Sequence, residues 1–390
     1  AGVDGNLEVS RNSINNVRGQ GLAIAGVLNG TTTVSSNVIR NTVDQGLVVG
    51  GTTGTTTIAN NQISGVTTRN VTVINPTGIG PANVTVATGQ GLILLNSIGT
   101  VNITGNTIEE VDGAASTAPI PPSGQGIAIA AFSGQLDLNI INNVIRQNDN
   151  DGVLIGLAGR TTGSVTPATA NITISGNTIE NNGGAIPVRG DGIGIGVEQD
   201  AVVNNLLIEN NTIRNNGDEG IDIRLGQEAI PLLNPTTAQL TGTIRNNTID
   251  NNAQNGIQVG ARGGTTARVA IESNTISNND QRGVFVVTSN LPALGTPQIS
   301  ANVRLNTLTA NAIAGIEVTT TSALLSTQTI CVNLTGNTST TPSIINNIAN
   351  PIFNPPNSVT VVDLANLNTN NTGGVVATGT PAPVNTIACP

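Results

Sequence analysis

The run Asn171-Ile-Thr-Ile-Ser-Gly-Asn-Thr-Ile-Glu180, followed by Asp191-Gly-Ile-Gly-Ile195, decides the fold. Ile172 and Ile174 alternate with polar residues, and so do Ile193 and Ile195. A two-residue period is the mark of a strand with one face inside. Between these strands stands Asn177, with an aliphatic residue, Ile179, two positions on.

The same unit recurs in both directions along the chain. The Asn column reads Asn12, Asn37, Asn61, Asn106, Asn143, Asn177, Asn211, Asn247, Asn274 and Asn306, with Asn337 as a degraded last copy. Each Asn from Asn12 to Asn306 has Ile or Leu two residues later. After it comes Gly followed by an aliphatic pair, as in Leu22/Ile24, Leu92/Leu94, Ile221/Ile223 and Ile316/Val318. A third strand precedes the Asn, as in Val101-Asn102-Ile103 and Val269-Ala270-Ile271. Internal repetition of this kind means a solenoid, which grows by adding coils. Three short strands per coil predict an all-β chain, a single-stranded parallel β-helix of about ten coils spaced about 4.8 Å apart, hence a rod about 50 Å long. β-branched content, Gly density and the missing 3.6-residue period exclude helices. The expected division is a repeat region over 1–328 and a C-terminal cap over 329–390.

Stacked Asn side chains at that spacing can bond amide to carbonyl up the column. The ladder also satisfies backbone groups at the turn, where Asn tolerates the left-handed conformation. The column is read as structural.

These motifs resemble the pectate-lyase-like right-handed β-helix superfamily in its degenerate, Asn- and Gly-rich repeat form, over roughly residues 1–328. The resemblance implies the right-handed coil. It leaves function open, because the superfamily includes lyases, hydrolases, epimerases, tailspikes, adhesins and structural proteins. The segment from Cys331 to Pro390 resembles the ends of large bacterial surface proteins.

Composition narrows the options. Of 390 residues, 1% are aromatic, and Met, Trp and Tyr are absent. Thin coils filled by short aliphatics need no large rings. There is no His, and all fourteen basic residues are Arg. The polygalacturonase-like members that this fold resembles need Gly-His-Gly and Arg-x-Lys segments, which are missing here. Pectate-lyase-like members carry Trp- and His-containing motifs, also missing. Nucleophilic triads fail without His. A net charge of −9 and the lack of a basic, ring-bearing patch argue against nucleic acid. No apolar run approaches membrane-span length.

Cys331 and Cys389 are either two unrelated buried thiols or a disulfide, the favoured reading. A disulfide would stabilise by about 4 kcal/mol in the chain-entropy model and would place the chain in an oxidising compartment, secreted or on a cell surface. The chain starts at Ala1, which fits a processed mature protein or a fragment.

The residue before the second-strand Gly forms another column: Gln20, Gln45, Gln90, Gln125, Asp151, Asp191, Glu219, Asn255 and Arg282. Asp151, Asp191 and Glu219 stack carboxylates, with Asp149, Asp218 and Asp222 nearby. Like charges about 5 Å apart raise each other's pKa or recruit a cation. Three outcomes stay open: a Ca²⁺ site, a carboxylate set for sugar cleavage, or a solvated column softened by Arg282. No further cofactor is expected.

The outward position between the inward pairs is apolar in the first half, at Val48, Ile93 and Leu154, which suggests a covered surface or interface. Insertions near 66–88, 113–123, 157–170, 183–189 and 226–239 are expected as loops. The leading expectation is an extracellular structural or adhesive rod that self-associates into an oligomer or filament or binds other surface components. A polysaccharide-active enzyme is the runner-up. A glycan-binding, non-catalytic passenger of a surface protein is third.

Overall fold

The computed structural model describes residues 3–28, 30–74, 83–113, 123–159, 166–184, 190–226, 236–289, 295–320, 328–346, 358–378, 382–384 and 389. Among them, three parallel sheets carry the fold. Sheet 1 holds the strands before each Asn, from Leu7–Ser10 to Ala382–Val384, and has 13 strands. Sheet 2 holds those after it, from Ser13–Val17 to Thr338–Ser339, and has 11. Sheet 3 follows the Gly, from Leu22–Ala25 to Val375–Thr378, and has 12. Each strand pairs with its counterpart one coil away, as Val101↔Leu138, Ile145↔Ile179 and Ile195↔Ile223 show. The alternation does the sorting. Ile172 and Ile174 are buried, and Asn171 and Thr173 between them are not. One continuous aliphatic core runs the length of the stack, built chiefly of Ile, Val and Leu.

Asn side chains set the coil spacing. Every ladder Asn from Asn12 to Asn337 donates Nδ2 to Oδ1 of the next at 2.9–3.0 Å. The same Oδ1 accepts the backbone N–H of the preceding Asn, as Asn211 Oδ1 does from Asn177 at 2.9 Å. Nδ2 also reaches back to a strand carbonyl, Ile174 O for Asn211. The left-handed residue, however, is the one before the ladder Asn: Asn60, Asn142, Asn210 and Asn246, or Gly105, Gly176 and Gly336, with Leu305 at φ 57. The expectation that the ladder Asn itself needs that conformation is corrected.

The Gly column opening sheet 3 has a steric cause. A Cβ on Gly152, Gly192 or Gly220 would clash with an Ile Cγ2 of sheet 2 and with the next Gly carbonyl. Only Gly lets the two sheets close there.

On sheet 1, two outward columns run in register. They are Thr31↔Thr55↔Thr100↔Asp137↔Asn171 and Thr33↔Thr57↔Asn102↔Asn139↔Thr173. The first register shift on this face comes after Ala170, against the strand Val202–Glu209.

Insertion 66–88 contains an antiparallel hairpin, Arg69–Ile74 with Asn83–Thr88. Buried Asp44 clamps it, taking Arg69 Nε at 3.0 Å, Nη2 at 2.6 Å and Thr88 Oγ1 at 2.5 Å. Most of the other insertions, including Pro121, Pro122 and Pro231, lies outside the described residues.

Coils continue beyond residue 328. Thr329–Thr335 and Ser358–Val362 extend sheet 1, and Ser343–Asn346 extends sheet 3. The helical turns Leu364–Asn366 and Leu367–Asn370 follow the sheet 1 strand Ser358–Val362, and Leu367 is buried. Asn371 ends the ladder by giving Nδ2 to the carbonyls of Leu334 and Leu367. Cys331 and Cys389 form a disulfide with Cα atoms 5.6 Å apart. No helix among the described residues is long and apolar enough to cross a membrane.

Candidate functional site

The column before the sheet 3 Gly is itself a ladder. Asp151 Oδ1 accepts the Asp191 N–H at 2.9 Å, and Asp191 Oδ1 accepts that of Glu219 at 3.1 Å. Asn255 gives Nδ2 to Glu219 Oε1 at 3.2 Å. The first task of these side chains is thus to satisfy backbone groups between coils, as the Asn column does.

What remains is an excess of carboxylate. Asp191, Glu219 and Asp222 each bring one oxygen to within 4.8 Å of the others. Asp222 enters from the outward position of the sheet 3 strand Ile221–Leu225, between buried Ile221 and Ile223. Glu219 is 2% exposed and Asp222 4%. Glu219 Oε2 is buried with no hydrogen-bond donor among the described residues. Among the described residues a single guanidinium answers them: Arg224 Nε pairs with Asp222, and its Nη2 stands 3.8 Å from Glu219 Oε2.

Crowding and burial move the titrations upward. Asp191 is held well above the carboxylate range, first by burial, then by the charges of Asp222 and Asp151. Burial, with the charge and hydrogen bond of Glu219, pushes Asp218 up to about 8. Burial raises Asp222 to about 7, although Arg224 opposes it. A cation would relieve the same crowding. Ca²⁺ takes oxygen ligands at about 2.3–2.6 Å, so ligands on one ion sit up to about 5 Å apart. The three oxygens fit that limit.

Two expected members stand elsewhere. Asp151 is buried in the column but outside the three-carboxylate group, and Asp222 takes the place assigned to it. Arg282 does not soften the cluster. It pairs with Glu317 at 2.5 Å and lies over the Phe285 ring at 4.4 Å. Asp149 accepts the Gly113 N–H at 2.9 Å, one coil towards the N-terminus.

Beside the cluster the sheet is tight at Gly194 and open at Gly196. A Cβ on Gly194 would come 3.3 Å from Leu154 Cδ1 and 3.1 Å from Asp191 Oδ2, and one on Gly196 would meet nothing. On the same outward column, the register is Val48↔Ile93↔Ala128↔Leu154↔Gly194↔Asp222. Val48, Ile93 and Leu154 are each half-buried there.

Sequence reading missed a second Asn ladder. Asn148, Asn182, Asn216, Asn252, Asn279 and Asn311 are buried and bond Nδ2 to Oδ1 at 2.8–3.0 Å. Its signal was present, since each follows a first-ladder Asn by five residues.

Three in-register parallel sheets tied by Asn ladders define a right-handed β-helix solenoid. The chain belongs to the family described as the right handed beta helix region, whose model matches residues 52–236 and 236–339. No curated protein matches the chain.

Proposed function

We propose that this chain is the rod of an extracellular structural or adhesive protein, and that Asp191, Glu219 and Asp222 hold a Ca²⁺ ion that locks its central coils. One observation carries the cation: three converging carboxylates, two of them buried, with a Glu219 oxygen that takes no hydrogen bond and, among the described residues, Arg224 as the one guanidinium paired with them. The disulfide supports an oxidising compartment, secreted or at a cell surface. The ladders support a rigid rod. The half-buried Val48, Ile93 and Leu154 make sheet 3 the candidate face for self-association or for other surface components.

The test is thermal unfolding at neutral pH after chelation, with and without Ca²⁺. At a hundredfold excess over Kd, a bound ion adds about 2.7 kcal/mol. Wild type gains stability from Ca²⁺, and the Glu219→Gln/Asp222→Asn variant does not. An unchanged wild-type midpoint across a Ca²⁺ titration ends the cation reading.

The open floor at Gly196, in register with Arg224, favours a second reading, a polysaccharide-active site using the same ion. Cleavage of an anionic glycan, lost in Asp191→Ala/Glu219→Ala, would select it. Saturable glycan binding without cleavage would select a non-catalytic passenger.

A further inference from the structure

We propose that the outer face of sheet 1 over residues 31–175 binds ice. The face is a lattice of small uncharged side chains. Its first coils present Thr31/Thr33, Thr55/Thr57 and Thr100/Asn102, and the next two continue it with Asn139, Asn171 and Thr173. Parallel stacking spaces these groups about 4.8 Å between coils and about 6.6 Å along a strand, two residues apart.

Three features suit that lattice to a crystal of water. First, its hydroxyls are unspent. Among the described residues, none bonds to the side-chain oxygens of Thr31, Thr33, Thr55, Thr57 or Thr100. Second, it is stiff. Thr has few χ1 choices on a strand, and Asn139 is fixed by its bond to Asn102 at 2.9 Å. Third, it is almost free of charge. Its one carboxylate, Asp137, accepts from Gln135 at 2.9 Å and Asn171 at 2.7 Å.

The rest of sheet 1 serves as an internal control. Beyond the register shift, the same face carries Glu209, Arg245, Glu272 and Arg304 in ion pairs. Charges of that kind hold their own hydration shells and break the repeat. Ice fits the regular half better than a glycan does, because among the described residues no ring is available for stacking: Phe132 lies at a turn and Phe285 on sheet 3. An ice plane is itself a flat, uncharged lattice of donors and acceptors with repeats of a few ångströms in both directions, and a regular hydroxyl array can order water to match it.

The experiment freezes the full chain slowly onto a cold probe and measures its incorporation into the ice, alongside inhibition of recrystallisation. Wild type is expected to enter the ice and to slow recrystallisation. Thr57→Tyr and Thr55→Lys, each checked for an unchanged circular dichroism spectrum and unfolding midpoint, lose that activity several-fold. Thr243→Tyr, on the same sheet in the charged half, keeps it. Exclusion of wild type from the ice overturns the proposal. So does full activity in Thr55→Lys, or an equal loss in Thr243→Tyr.

Discussion

Coils over residues 7–113 and those over 144–311 share one core but close it differently. In the first group, sheet 2 strands such as Val38–Val43 and Gln62–Thr67 run long. Their third residue after the core isoleucine is Thr42, Val66 or Val111. In the second group the strands shrink to three residues, Thr178–Glu180 for example, and the equivalent residue is Asn of the second ladder. The Gly opening sheet 3 records the switch. A Cβ on Gly46 or Gly91 would meet a Val methyl, and one on Gly152 or Gly192 an Asn amide. Aliphatic turns need no partner up the stack. Asn turns are satisfied only in company, so the ladder begins with a fault. Among the described residues Asn148 Oδ1 is buried without a donor, because its preceding neighbour is Val111. On sheet 3, strands up to Val153–Ala158 carry no acid or Arg, and later ones carry Glu198, Asp222, Arg224, Arg262, Arg282 and Glu317.

The largest expected effect tests what both groups share. Asn211→Ala removes the acceptor of the Asn177 N–H and Nδ2 and leaves both buried. Orphaned buried polar groups cost about 1–3 kcal/mol each. A loss of roughly 3–5 kcal/mol in denaturant unfolding is expected on that ground. A loss below about 1 kcal/mol would mean the ladder is decorative.

The pH dependence comes next and belongs to the second group alone. The folded-state pKa values of Asp218 and Asp222, about 8 and about 7, lie above the value of 3.8 for an unperturbed carboxyl. The folded state therefore holds more protons than the unfolded one. Their contribution to stability is fully present below about pH 4 and is lost as pH rises through 7 to 8. In chelator, the unfolding midpoint of wild type is expected to fall from pH 5 to pH 8. The Asp218→Asn/Asp222→Asn variant flattens this slope. A rising midpoint over that range in wild type would contradict the charge crowding.

A sharper comparison uses Val as the probe. Asn216→Val breaks the second ladder in the middle, and its neighbours Asn182 and Asn252 lose their bonds. That costs about 1–3 kcal/mol. Asn148→Val extends the aliphatic column by one coil, and Asn182 Oδ1 keeps the backbone N–H of residue 148 as a donor. Its cost should stay under about 1 kcal/mol. Equal losses at both positions would refute the account of the junction.

The three sheets were legible in the sequence because an inward aliphatic at every second residue leaves no other register. The first ladder was legible for the same reason, since Asn recurs at a fixed offset from buried Ile. The second hid behind it, present in six coils only and five residues downstream. The cluster was half legible. Stacking fixed the column of Asp151, Asp191 and Glu219, but which oxygens converge depends on side-chain torsions, and these chose Asp222 and Arg224 over Asp151 and Arg282.

Leu305 offers the smallest and cleanest test. It occupies the left-handed position before Asn306, at φ 57, and is 60% exposed. Seven other coils place Asn or Gly there, and three place Arg11, Ser36 or Ser273. The left-handed conformation costs an ordinary L-residue about 1–2 kcal/mol, and Asn tolerates it better. Exposure means Leu305 returns little by burial. Leu305→Asn should therefore stabilise the rod by up to about 1 kcal/mol, read as a rise in the denaturant midpoint without a change in slope. The same substitution at Leu308, three residues on and fully buried in the core, should destabilise by several times that amount. If both variants were destabilised, the turn would owe its shape to the Leu305 side chain and not to the Asn ladder that follows it.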